Sequence, residues 1–154
     1  MPVVVAPSSC VTAVGAAASQ WAATIADERA RVTAVGAAAS QWAARDAPGA
    51  RGWVLGLATG AARDSAVTQL LGATTTGTID HVLVDAYSNS EARQRGVNDA
   101  VRMIATRDTV AARQLADQYI TDPAARQAVE RFIEQGRNGP TIFGPPPPRL
   151  PPGR

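Results

Sequence analysis

The chain has no lysine, and only one cysteine, Cys10, and one histidine, His81, among its 154 residues. Without lysine it cannot build a P-loop, a Schiff base, or the Ser-x-x-Lys centre of penicillin-recognising enzymes. A lone Cys excludes an intramolecular disulfide, and one His with one Cys falls short of the usual zinc ligand sets. No metal and no cofactor is expected. Aromatics are also sparse, at three Trp, two Tyr and two Phe. Nucleic-acid binders interleave such rings with a clustered basic patch.

A strong excess of charge of one sign is missing too. Fifteen Arg against 13 Asp plus Glu leave a formal charge of +2, and the arginines are interleaved with acids instead of forming a run, so no nucleic-acid partner is expected. The opening MPVVVAPSSC has no basic residue at its start and too short an apolar core for a secretory signal. The expected location is the cytoplasm. Gly52, Gly56 and Gly60 form a G-x-x-x-G-x-x-x-G run like a membrane dimerisation face. Arg51 and the short apolar length around it point instead to close packing of soluble helices, with no membrane as partner.

What the chain does have is repetition. VTAVGAAASQWAA stands at residues 11–23 and again, without a mismatch, at 32–44. With the chain laid on itself at an offset of 62, Arg45-Asp46 falls on Arg107-Asp108 and Ala50-Arg51 on Ala112-Arg113. Arg31, Arg63, Arg95 and Arg126 halve that offset to units of 31 or 32 residues, the length of a helical hairpin with short connections.

Each unit carries the 3.6-residue periodicity of an amphipathic helix. The stripes are Val32, Val35, Ala39 and Trp42; Ala50, Trp53, Val54 and Leu57; Val67, Leu70 and Leu71; Ile79, Val82, Leu83 and Ala86. They continue with Val97, Ala100, Val101 and Ile104; Ala112, Leu115, Ala116 and Tyr119; and Ala125, Val129, Phe132 and Ile133. Nothing of comparable length alternates with period two, and Ala, at 32 positions, is the strongest helix former. The chain reads as all-α. Helices are expected near 11–44, 48–58, 62–73, 79–87, 91–106, 110–120 and 123–135, packed antiparallel with their sequence neighbours.

The punctuation supports these starts. Asp46 before Pro48 and Asp122 before Pro123 set a capping carboxylate beside a first-turn proline. Ser88 with Glu91 has capping-box spacing; Thr78 follows the breaker Gly77, and Gly60 and Gly136 sit where helices should stop. The duplicated block reads in two ways. Its apolar positions from Val11 through Trp21, Ile25 and Val35 to Trp42 keep a 3-4 spacing, and no Gly or Pro lies between Thr24 and Arg31, which favours one continuous helix. A break with Asp27 as N-cap is the alternative.

The expected organisation is an irregular segment 1–10, a helical repeat domain 11–138 and a tail 139–154. The tail, GPTIFGPPPPRLPPGR, is proline-dense enough to forbid helix and to favour disordered, polyproline-II-like chain. Repeats that cannot bury an apolar face alone are the mark of an α-solenoid.

The units WAARDAPGARGWVLGLATGAARDSAV and IATRDTVAARQLADQYITDPAARQAVERF resemble the Ala-rich helical hairpins, related to tetratricopeptide repeats, found in many bacterial proteins without an assigned activity. The shared features are a Trp-Ala or similar pair closing the first helix, an Asp or Asp-Pro connection, and arginines leading into the next unit. The resemblance covers roughly residues 31–136, and departs from standard tetratricopeptide repeats in unit length and in lacking their Gly-Tyr and Pro positions. It implies scaffolding of protein assemblies and carries no catalytic residue across.

The functional expectation follows from that architecture. Second helices of successive hairpins should share one face, bringing Arg51, Asp85, Arg113 and Asp117 together as contacts for a protein or peptide partner. The chain is then a non-catalytic interaction scaffold. The alternative is a small helical enzyme or ligand-binding domain with a pocket near His81 and Tyr87, although no Ser or Cys in a nucleophile-elbow context accompanies that histidine. Cys10 reads as an incidental thiol, and Trp21, Trp42 and Trp53 as core.

Overall fold

The computed structural model describes residues 17–18 and 20–137, and among them every regular element is helical. Seven helices follow a helical stretch that ends at Ala23. They are α1 (Glu28–Ala43), α2 (Ala47–Gly56), α3 (Ala61–Thr74), α4 (His81–Asp85), α5 (Ser90–Ala105), α6 (Thr109–Tyr119) and α7 (Pro123–Arg137). The segments 1–10 and 139–154 lie outside the described residues, as does most of the first copy of the duplicated sequence.

The continuous helix over 11–44 is not what forms. The chain breaks between Thr24 and Asp27, and the alternative start holds: Asp27 is extended and its side chain accepts from the Ala30 N–H. Two β-branched residues, Thr24 and Ile25, explain the stop without Gly or Pro. The Thr24 amide and hydroxyl both bond the Trp21 carbonyl, closing the turn before the helix can propagate.

Aspartate does the same work at each second helix. Asp46 caps α2 through the Gly49 N–H, Asp80 caps α4 through Val82 and Leu83, and Asp108 caps α6 through Val110 and Ala111. Asp122 caps α7 in the same way. Each such cap is worth about 1 kcal/mol. The capping box expected at Ser88 is displaced by one residue: Asn89 caps α5, accepting from Ala92 N–H, while Ser88 donates through its amide and hydroxyl to Asp64 of α3. Nor does Thr78 open a helix, since Asp80 leaves α4 only five residues long. Gly60, expected as a stop, is instead the N-cap of α3, and Gly136 lies within α7.

Arginines close the other ends. Arg107 donates to the Gly72 and Ala73 carbonyls at the end of α3, and Arg126 to the Ile120 and Asp117 carbonyls of α6. A cation there satisfies orphan carbonyls and complements the negative end of the helix dipole.

Packing is in two layers. α1, α3, α5 and α7 lie side by side, each touching the next odd-numbered helix, while α2 packs on α1 and α3, α4 on α3 and α5, and α6 on α5 and α7. Leu70, Leu71, Val97, Ile104, Leu115 and Ile133 are buried between them. Burying each such side chain stabilises the fold by roughly 1.5–3 kcal/mol. Three expected core residues stay out: Trp21 is 48% exposed, Val82 53% and Phe132 39%. Trp42, by contrast, sits 5.7 Å from the buried ring of Trp53. Close approach happens at glycines other than the expected run. Gly52, Gly56 and Gly60 have open space where a β-carbon would sit, whereas Gly36 meets Ser65 of α3 and Gly72 meets Met103 of α5. α2 turns Gly49, Ala50, Trp53 and Val54 inward, so its other glycines have nothing to press against.

Candidate functional site

The four residues expected on a shared partner face divide into two kinds. Arg51 of α2 reaches Asp80, the cap of α4, with Nε 2.5 Å from Oδ2 and Nη2 3.2 Å from Oδ1. Its counterpart at the 62-residue offset, Arg113 of α6, donates from Nε to Glu130 of α7 at 3.1 Å. Both arginines tie one hairpin to the next. Their side chains are 40% and 35% exposed, so each pair contributes at most about 1 kcal/mol, yet the two-pronged Arg51–Asp80 contact fixes register there. Hydrogen bonds from Arg51 hold the Asp80 carboxyl below its usual range against the opposing effect of burial, with the Leu83 and Val82 amides adding to the lowering.

Asp85 and Asp117 are the exposed kind. Asp85 lies 3.7 Å from Arg93 in a solvent-facing pair. Asp117 is exposed and forms no ion pair among the described residues. It lines a cleft of about 520 Å³ whose other walls are Gly77, Thr78 and Ile79 from the loop before α4, His81 at the start of α4, and Gln114 and Gln118 from α6.

His81 stands at the edge of this cleft, exposed, with Nδ1 in hydrogen-bond contact with the Tyr119 hydroxyl of α6. The two rings are 6.0 Å apart and tilted by 44°. Burial raises the Tyr119 hydroxyl above its ordinary value, Asp85 adds to the rise and Arg93 opposes it, so the phenol stays protonated and serves as donor or acceptor. Tyr87, the other residue expected near His81, lies elsewhere. It is buried in the seam between α3 and α5, where its hydroxyl meets Thr68 Oγ1 at 2.9 Å, and desolvation pushes its acidity far out of range.

Tyr119 was legible only as a stripe residue. Its spacing fits the α6 core face, but its partner His81 is 38 residues away, and nothing local marks that contact. Among the described residues no group of three or more His, Cys, Asp or Glu is placed to hold a metal ion. Nor is any described helix long and apolar enough to cross a membrane. No protein-family model, no curated protein and no solved structure matches this chain.

Proposed function

We propose that the chain is a non-catalytic interaction scaffold, an α-solenoid-like stack of helical hairpins that binds a protein or peptide segment. One observation carries this reading: the cleft beside His81 is walled by two successive hairpins, with Thr78 and His81 from one and Gln114, Asp117 and Gln118 from the next. Stacked arrays bind extended partners on surfaces that several units share. The cleft's side chains are two amides, a hydroxyl, an imidazole, an unpaired carboxylate and the partly buried Ile79. They suit a polar backbone segment with a basic residue set against Asp117. The two-layer order, with each even-numbered helix seated over two odd-numbered ones, supports the solenoid part of the reading, and so do the repeated Asp caps.

Affinity capture on the tagged full chain tests the proposal. Asp117→Arg combined with Gln114→Ala should abolish recovery of the wild-type partner while far-UV circular dichroism stays unchanged. Undiminished recovery by a folded variant would remove the cleft as the interface. The runner-up, a small helical enzyme or ligand-binding domain, draws support from the His81–Tyr119 contact, and substitution of that histidine separates the two readings.

A further inference from the structure

A second hollow, of about 490 Å³, opens on the layer of odd-numbered helices, where the seam between α3 and α5 meets Val32 of α1. Tyr87 forms part of its wall and is 8% exposed. The Thr68 hydroxyl gives its one proton to the Asp64 carbonyl at 3.0 Å, so the Tyr87 hydroxyl donates its own to Thr68 Oγ1 at 2.9 Å. The phenol oxygen is left with acceptor capacity only. Asp64 is placed alike: Oδ1 takes the Ser88 amide and hydroxyl, while Oδ2 takes no hydrogen bond from a described residue. The Asp99 carboxylate, exposed on α5, has neither hydrogen bond nor ion pair among the described residues.

The charges around this hollow do not balance. Burial raises the Tyr87 hydroxyl far above its usual range, and Asp64 and Asp99 both add to the rise, which puts the two carboxylates within electrostatic reach of one oxygen. Arg95 is the one cation in the wall. Its side chain is 71% exposed and already has an acidic partner, with Nη2 3.8 Å from Glu91 Oε1. Two carboxylates without a described counter-charge therefore outweigh one arginine that has one. Ser65 and Gln69 add a hydroxyl and an amide that serve either way. What remains free is chiefly acceptors under a net negative charge, which favours a cation with several donors and opposes an anion.

We infer that this hollow binds a small organic cation of the alkylguanidinium type, whose N–H groups face Asp64, Asp99 and the Tyr87 oxygen. A guanidinium carries five donors in a planar fork and no acceptor, the complement of acceptors that come from two helices and a loop; an ammonium offers three donors from a single point. Ala92 and Met103 give apolar wall for the alkyl chain. The site stands apart from the scaffold reading, because it shares no residue with the cleft at His81.

The test is an amide-resolved NMR titration of the full chain with butylguanidinium, set beside butylurea, which keeps the shape without the charge, and pentanoate, which reverses the charge. Butylguanidinium should shift the Thr68, Tyr87, Gly96 and Asp99 amides saturably, with a Kd under about 5 mM as expected for a ligand of this size. Butylurea and pentanoate should each bind at least about five-fold more weakly. Asp99→Asn, and Asp64→Asn, which keeps an oxygen for Ser88, should each weaken butylguanidinium binding by about three-fold or more. No saturation by about 20 mM, a urea or carboxylate that binds as tightly as the guanidinium, or unchanged affinity in both folded variants overturns the inference. The guanidinium-against-urea comparison decides on wild-type protein even if a variant does not fold.

Discussion

Gly96 of α5 lies directly against the ring of Tyr87: a β-carbon at position 96 would stand 2.4 Å from Cε1 and from the hydroxyl, and 2.5 Å from Cζ. The ring is stiff and its hydroxyl is held by Thr68, so it cannot yield cheaply. Gly96→Ala should destabilise the protein by about 1–3 kcal/mol through overpacking, even though alanine is the better helix former by about 1 kcal/mol. Gly72→Ala is the control. Its β-carbon meets the flexible end of Met103, and the loss should stay under about 1 kcal/mol because methionine repacks. Urea denaturation of both variants checks the order, and a Gly96→Ala protein at least as stable as wild type would show that the Tyr87 seam is loose.

Leu115 of α6 is fully buried. It belongs to the layer that α6 lays over α5 and α7, so truncation leaves a cavity between elements instead of a surface dent. Leu115→Ala should cost about 2–5 kcal/mol in transfer and cavity terms. A loss below about 1 kcal/mol in equilibrium denaturation would mean that α6 is not seated where it is placed.

The helices were largely legible because burial and periodicity agree along most of the chain. Val35, Ala39, Leu70, Val97, Ile104 and Leu115 are all read from spacing and all buried. The failures have local causes. Trp21 and Trp42 occupy identical sequence, yet one is 48% exposed and the other packs on Trp53, because the neighbours that bury a side chain are not encoded in its own helix. Asp80 sits where Thr78 looked like the start, since a carboxylate that bonds two amides and also a guanidinium outcompetes a hydroxyl. Of the four candidate contacts, Arg51 and Arg113 turn out to tie hairpins together. Their partners are 29 and 17 residues away, a separation at which sequence spacing carries no information about contact. The cleft at His81 is likewise a product of tertiary approach.

Asp80 also predicts a pH dependence. Its folded-state pKa is lowered, chiefly by hydrogen bonds from Arg51, so its contribution to stability is fully present above the unfolded carboxylate value of about 3.9 and is lost as pH falls through the lower folded value. Asp80→Asn keeps a side chain able to cap α4 and removes the charge. Wild type should therefore be the more stable of the two between about pH 5 and 8, by a constant margin of up to about 1 kcal/mol. As pH falls below the unfolded carboxylate value of about 3.9 and on through the lower folded one, the two melting curves should converge, as the aspartate protonates and the pair is lost. Parallel pH-dependent losses in both proteins would assign the acid sensitivity to other carboxylates.

His81 is the residue on which the scaffold and catalytic readings part. It is exposed, lies in the first turn of a five-residue helix capped by Asp80, and touches the Tyr119 hydroxyl. An exposed imidazole in such a place supports little of the core, and α4 is anchored instead by the buried Leu83 and Val84 and by the Asp80 cap. His81→Ala should change stability by no more than about 0.5 kcal/mol, the range of ordinary surface substitutions. Tyr119→Phe should behave alike, because it keeps the ring packed beside the histidine and removes only the hydroxyl contact. If the chain works by binding, neither substitution removes a turnover. A reaction measured on the wild-type chain and abolished by His81→Ala, with circular dichroism and melting temperature preserved, would replace the scaffold reading with catalysis in the cleft, the imidazole acting as general base with Tyr119 as its positioning residue.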